Sequence, residues 1–244
     1  MKARSCTRFA IAMGVLSLVV AIAGCAKVPM SASCPSTPPP VSGVSAGDLV
    51  SARAAAAALP LIDPGTRTPE YRRAAFGDQA WADVDRNGCR QRDDVLSRDL
   101  ADVERSTKGC TVLRGVLPRD PYTGRCIVFE HDRVATGGNP GSQGIEIDHV
   151  VSLAAAFRGG AWAWTAERRL EFANTIGDEL LAVDGPTNIA KSDAGPARWL
   201  PTPASGYRCA YAVRYTRIVS GWGLAVDEPD RAALVQAIDE CQRG

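Results

Sequence analysis

Apolar and polar positions alternate along the chain in short segments, each with its own period. "GDLVSARAAAAALP" reads as a short helix begun by Asp48 or Ser51 and stopped by Pro60. "TPEYRRAAFGDQAW", "QRDDVLSRDLADVE" and "TAERRLEFANT" carry helical patterns, whereas "CIVFE" and "IEIDHVVSL" are strand-like. "YRCAYAVRYTRIVSGWG" predicts a helix with a long apolar face, and "DEPDRAALVQAIDECQ" a capped terminal helix with acids in its first turn. The strands are few and short, too few for a doubly wound sheet, so the fold class is α+β.

Ahead of these segments, Lys2, Arg4 and Arg8 precede an uncharged apolar stretch that ends in "IAGC". That layout is a secretory signal over residues 1–24, and "IAGC" resembles the lipobox of bacterial lipoproteins, with Cys25 as the lipidated position. The expected location is extracytoplasmic, with the membrane reached through the lipid. "CPSTPPPVSGVSAG" cannot bury a core and reads as a stiff tether. Residues 25–67 are therefore expected to be lipidated N-terminus, tether and short helix, and 68–244 a single domain.

Composition changes this picture in two ways. Of 28 basic residues three leave with the signal, against none of the 27 acidic ones, so the mature chain carries about −2. A coat that binds nucleic acid without selectivity needs a basic excess, so any polyanion site must be local. Six cysteines remain after Cys6 and Cys25, an even set that reads as a disulfide framework outside the cytoplasm. Cys89 with Cys110 and Cys209 with Cys241 each flank a helix-like segment, which leaves Cys34 for Cys126.

The candidate chemistry centres on "IEIDHVVSL". In a regular strand Asp148 and His149 point to opposite faces, so the pair suits a strand end where one residue chelates and the other acts. Downstream, "ELLAVDGPTNIAKSDAGPARWLP" places Asn188 and Lys191 in a turn followed by a helix beginning near Thr187. A carboxylate and an amide oxygen are hard ligands suited to Mg²⁺, and an imidazole beside such an ion can deprotonate water for attack on phosphorus.

The ordered set DH, Arg-Phe-Ala-Asn-like "EFAN", Leu-Leu, Asn-x-x-Lys and Trp-Leu-Pro resembles the secreted, HNH-like nuclease domains related to the C-terminal domain of GmrSD-type restriction enzymes. "GCTVLRGVLPRDPYTG" and "WADVDRNGCRQRDDVLSRDL" extend the likeness over roughly residues 70 to 244. The resemblance implies an HNH-like ββα-metal core inside a mostly helical domain and a metal-dependent endonuclease acting on DNA or RNA. It implies His149 as general base, Asp148 and Asn188 as metal ligands, and Lys191 at a phosphate. Where the family has Asn-Leu-Leu, with an asparagine that braces the loop carrying the base, this chain has Glu179 before Leu180 and Leu181. Glu179 or Asp178, with Asn174 nearby, is the expected brace, able to accept backbone donors but not to donate.

A second constellation, "DVDRNGCRQRDD", fits a calcium loop with Asp83, Asp85, Asn87 and Asp94 as ligands, or else a disulfide-braced Asx turn. Either version positions Arg90 and Arg92 toward substrate phosphates. His131 falls in a Gly/Asn/Pro-rich loop as a bystander. The rival readings are a non-catalytic, calcium-stabilised envelope module and a hydrolase of another phosphodiester.

Overall fold

The computed structural model describes residues 33–40, 43–77, 81–107 and 109–243, so the expected signal and Cys25 lie outside the described residues. Helix α1 (Ala46–Ala57) begins where the Ser45 hydroxyl accepts from the Asp48 amide at 3.1 Å. It buries Leu49, Ala52 and Ala56 in one cluster with the inner faces of α6 (Arg208–Trp222) and α7 (Glu228–Arg243). The expected boundary at residue 68 is thus corrected: α1 belongs to the same core as the two terminal helices.

Two other expectations change. Among the described residues of "TPEYRRAAFGDQAW" only Arg73–Phe76 winds, as a single 3₁₀ turn ended by Gly77 at φ 114°, a conformation that glycine adopts freely. Its Phe76 ring packs against Tyr71, Phe157 and Phe172 instead of against helical neighbours. In "QRDDVLSRDLADVE" the helix α2 (Gln91–Asp99) stops at Leu100, whose backbone turns extended, and β1 (Ala101–Arg105) follows. The competing partner is β2 (Val112–Leu117), which pairs antiparallel with β1 on one edge and β3 (Ile127–Glu130) on the other.

A second, two-stranded sheet pairs β4 (Ile145–His149) with β5 (Leu180–Asp184), antiparallel, in a register running from Ile145 opposite Asp184 to His149 opposite Leu180. Between the strands come α3 (Leu153–Arg158) and α4 (Ala166–Asn174), and α5 (Gly185–Lys191) follows β5 without a loop. Asp184 makes that junction by capping α5, accepting from the Thr187 amide at 3.0 Å. Gly185 is needed there because a Cβ would run into the carbonyl of Gln143.

The described residues thus form a mixed α/β domain of seven α-helices and two small sheets. One apolar cluster joins α1, α3, α6 and α7; a second, built on Leu96, Phe129, Ile145, Ile147 and Leu180, lies beneath the ribbon and the three-stranded sheet. Three disulfides close it: Cys34–Cys126, Cys89–Cys110 and Cys209–Cys241, the pairs expected from the sequence. The first pins the proline-rich segment to the domain, so the tether is fastened at Cys34. Among the described residues no helix is long and apolar enough to cross a membrane.

Candidate active site

The β4 sequence Ile-Glu-Ile-Asp-His divides its side chains by the strand period of two. Ile145 and Ile147 enter the second core cluster, while Glu146 and Asp148 share the other face. Both carboxylates border a cleft of about 520 Å³, as do His149 and, from α5, Asn188.

Asp148 is only 6% exposed. Its carboxylate accepts from the buried hydroxyl of Tyr122 and pairs with the Lys191 ammonium at 2.9 Å. Burial pushes its pKa up, and the Lys191 charge and Tyr122 hydrogen bond oppose that push. Lys191 is fully buried and also donates to the His149 carbonyl at 3.0 Å. The expected contact of Lys191 with a phosphate is therefore corrected: a buried ammonium cannot leave a carboxylate uncompensated, and this one holds Asp148 and the end of β4 in place. Directly after it, Ser192 takes a left-handed φ of 52°, a strained conformation for a residue with a side chain, at the rim of the cleft.

His149, the last residue of β4, is 7% exposed and lies parallel to the Trp81 indole, with ring centroids 5.8 Å apart. Its Nε2 is 2.8 Å from the Ala173 carbonyl at the end of α4. A carbonyl can only accept, so Nε2 carries the proton and the neutral ring leaves Nδ1 as the acceptor. Burial drives the imidazole pKa down to about 3, although the Ala173 hydrogen bond works the other way. The ring is neutral at physiological pH.

The α4 terminus does a second job. Asn174 is buried, accepts from the Ala82 amide at 2.9 Å and donates to the Leu170 carbonyl at 3.0 Å. It therefore anchors the segment carrying Trp81, which in turn lies on His149. Glu179, the other expected brace, accepts from the Val150 amide through its main-chain carbonyl at 2.9 Å, while both side-chain oxygens are buried without a completed hydrogen bond among the described residues. Burial, and then the charge of Asp148, pushes its carboxyl well above the usual range, against the Lys191 charge and the Val151 amide. Asp178 instead forms an exposed ion pair with Arg214 at 3.4 Å.

Glu146 was missed by the motif reading, although its position two residues before Asp148 on one strand was the signal. Its carboxylate accepts from the Asn188 amide at 2.9 Å, so Asn188 and the β4 acids meet on one wall. Two carboxylates and an amide are oxygen donors of the kind Mg²⁺ takes, and they fit such an ion in chemistry. Among the described residues no group of three or more His, Cys, Asp and Glu is arranged to hold a metal, so the candidate set depends on the amide of Asn188.

Arg92 borders the cleft, but Arg90 does not: it pairs with Asp93 at 3.2 Å. The expectation for Arg90 is corrected by that partner. In the acidic loop, Asp83 accepts from the amides of Asn87 and Gly88 at 3.1 and 2.9 Å, and Asn87 donates to Asp85 and Asp94 at 3.1 and 3.2 Å. These are the contacts of a braced Asx turn.

The class defined so far is a disulfide-stapled mixed α/β domain whose cleft gathers an imidazole, two carboxylates and an amide around a two-stranded ribbon. Residues 90–237 match the family described as GmrSD restriction endonucleases, C-terminal domain. The chain belongs to that family. It is also similar to an "Uncharacterized secreted protein" of Arthroderma benhamiae, 32% identical over 154 residues, which are 63% of this chain and 68% of that protein. No solved structure matches the chain.

Proposed function

We propose that the protein is an extracytoplasmic nuclease that hydrolyses nucleic-acid phosphodiesters at the β4 cleft. Membership of a family named for restriction endonucleases supports the reaction class. Three disulfides, together with a relative described as secreted, support a location outside the cytoplasm; attachment through a lipid on Cys25 rests on the "IAGC" sequence alone. The ribbon β4–β5 running straight into α5 supports the ββα reading of the site.

The observation that carries the proposal is the state of His149. A buried imidazole whose Nε2–H is committed to Ala173 keeps Nδ1 as its acceptor, on a residue that borders the same cleft as Glu146, Asp148 and Asn188. Those three residues would hold a divalent ion, which when bound supplies charge to polarise the phosphodiester. In the reaction a water attacks phosphorus, its proton goes to Nδ1, the bond to the leaving oxygen breaks, and that oxygen takes a proton from solvent. A phosphate at the mouth of the cleft favours the imidazolium, which raises the basicity that burial suppresses. Trp81 keeps the ring from turning, and Lys191 and Tyr122 keep Asp148 aimed.

The test is plasmid degradation with Mg²⁺ or Mn²⁺. Wild type should cut, and His149→Ala should lose about 10²- to 10⁴-fold in rate, the usual worth of a general base. Equal inactivity of both proteins, each verified as folded, rejects the proposal.

A further inference from the structure

The chain leaves α5 through a turn that the hydrolytic reading does not use. The Ser192 amide donates to the Asn188 carbonyl at 3.0 Å, and the Ala194 amide donates to the Lys191 carbonyl at 3.0 Å. Lys191 to Ala194 is therefore a closed turn, with Ser192 in its second position at φ 52° and ψ −127°. Those angles are the type II′ conformation, in which glycine is the residue expected there. A Cβ makes the conformation costly, and a residue stays in it only where its neighbours hold it. Here they hold it on both sides: the Lys191 ammonium is bound to Asp148 and to the His149 carbonyl, and Asp193 pairs with Arg158 at 3.2 Å. Glycine would occupy the same turn without strain. What serine adds is a hydroxyl.

That hydroxyl belongs to the wall of the cleft. Three serines border it, and the Ser142 hydroxyl accepts from the Asp132 amide at 3.3 Å while the Ser152 hydroxyl accepts from the Ala155 amide at 3.1 Å. Ser192 is exposed, and among the described residues its hydroxyl makes no hydrogen bond. The same wall carries Glu146, Asp148 and Asp193, which repel a phosphate, and the Lys191 ammonium that could have met one is turned inward. A neutral donor meets a phosphate oxygen and leaves those acids undisturbed. Because the turn is hydrogen-bonded to Asn188, a phosphate held there lies beside the groups proposed to act on it.

We propose that Ser192 is a substrate-contacting residue, its hydroxyl held out by the strained turn to donate to a non-bridging oxygen of the phosphate that is cut. This rests on the nuclease reading and adds a residue to that site. Ser192→Ala keeps the Cβ and the strain but removes the donor, whereas Ser192→Gly removes both. Each should lose about 10- to 100-fold in kcat/KM for plasmid cleavage with Mg²⁺, the size of a hydrogen bond to a charged group. Only Ser192→Gly should gain stability, its thermal midpoint rising by about 2–4 °C while that of Ser192→Ala stays in place. Anisotropy of a fluorescein-labelled duplex with the full chain in EDTA, over a salt series, gives a readout that a structural role would not move. Both variants should bind at least about fivefold more weakly with the log–log salt slope unchanged, because a neutral donor displaces no counterion. A Ser192→Gly protein that is more stable and as active as wild type, or a Ser192→Ala protein with undiminished cleavage, overturns the proposal. The two readings fail separately: duplex binding that depends on Ser192 without cleavage sinks only the nuclease, and cleavage that depends on His149 but is indifferent to both Ser192 variants sinks only this one.

Discussion

Two acid-rich regions of this molecule look alike as strings and behave differently as structures. In the loop from Asp83 to Asp94, Asp83 and Asp85 are exposed and Asp94 is half-buried, and the partners of these three lie within seven positions along the chain. In the cleft, Asp148 is buried, and its partners Tyr122 and Lys191 are 26 and 43 residues away. The loop acids satisfy backbone amides and Asn87, so they shape a turn stapled by Cys89–Cys110. The cleft acids are satisfied by groups that only folding delivers, and removing a partner strands a charge away from water. The proposed chemistry is placed in the second arrangement because low exposure strengthens every interaction made there.

That contrast can be broken most forcefully at Lys191. Lys191→Met leaves Asp148 buried without its cation and should cost about 3–5 kcal/mol in urea denaturation at neutral pH; a loss below about 1 kcal/mol would show the pair to be hydrated. Next in size is the pH response of the buried Glu179 carboxyl. Its folded pKa is raised, so the stability it contributes is present at acid pH and lost as pH climbs from the ordinary carboxyl value through the folded one. Glu179→Gln should therefore match wild type near pH 4 and become the more stable protein as pH rises, read as thermal midpoints across a pH series. A constant offset would mean that Glu179 is not the titrating group. His149 acts with the opposite sign: its imidazole is depressed from 6.5 to about 3, so its contribution is present above 6.5 and fades as pH falls through that window. The smallest effect belongs to the loop. Asn87→Ala removes the amide between Asp85 and Asp94 and should cost about 1 kcal/mol with nuclease rate unchanged; a large rate loss would tie the loop to catalysis.

Much of the scaffold was readable because its signals are local. Thr165 and Asp184 cap helices through amides three residues on, and α4, α6 and α7 follow apolar faces visible in the string, whereas α1 starts from a Ser45 cap and not at the expected Asp48 or Ser51. Strand β5 was missed because all five of its residues are buried, and an unbroken apolar run has no period of two. The switch at Leu100 from helix to strand was hidden because β2, more than ten residues away, decides it.

The site divides the same way. Sequence alone put an imidazole beside an acid at a strand end and supplied the amide downstream, since those follow from residue order and strand geometry. Only the tertiary structure decided that Lys191 turns inward to Asp148, that the Glu179 carboxyl is buried, and that Ala173 fixes the tautomer of His149. Burial and pairing across forty residues depend on what the rest of the chain packs against each group, and no local pattern carries that information.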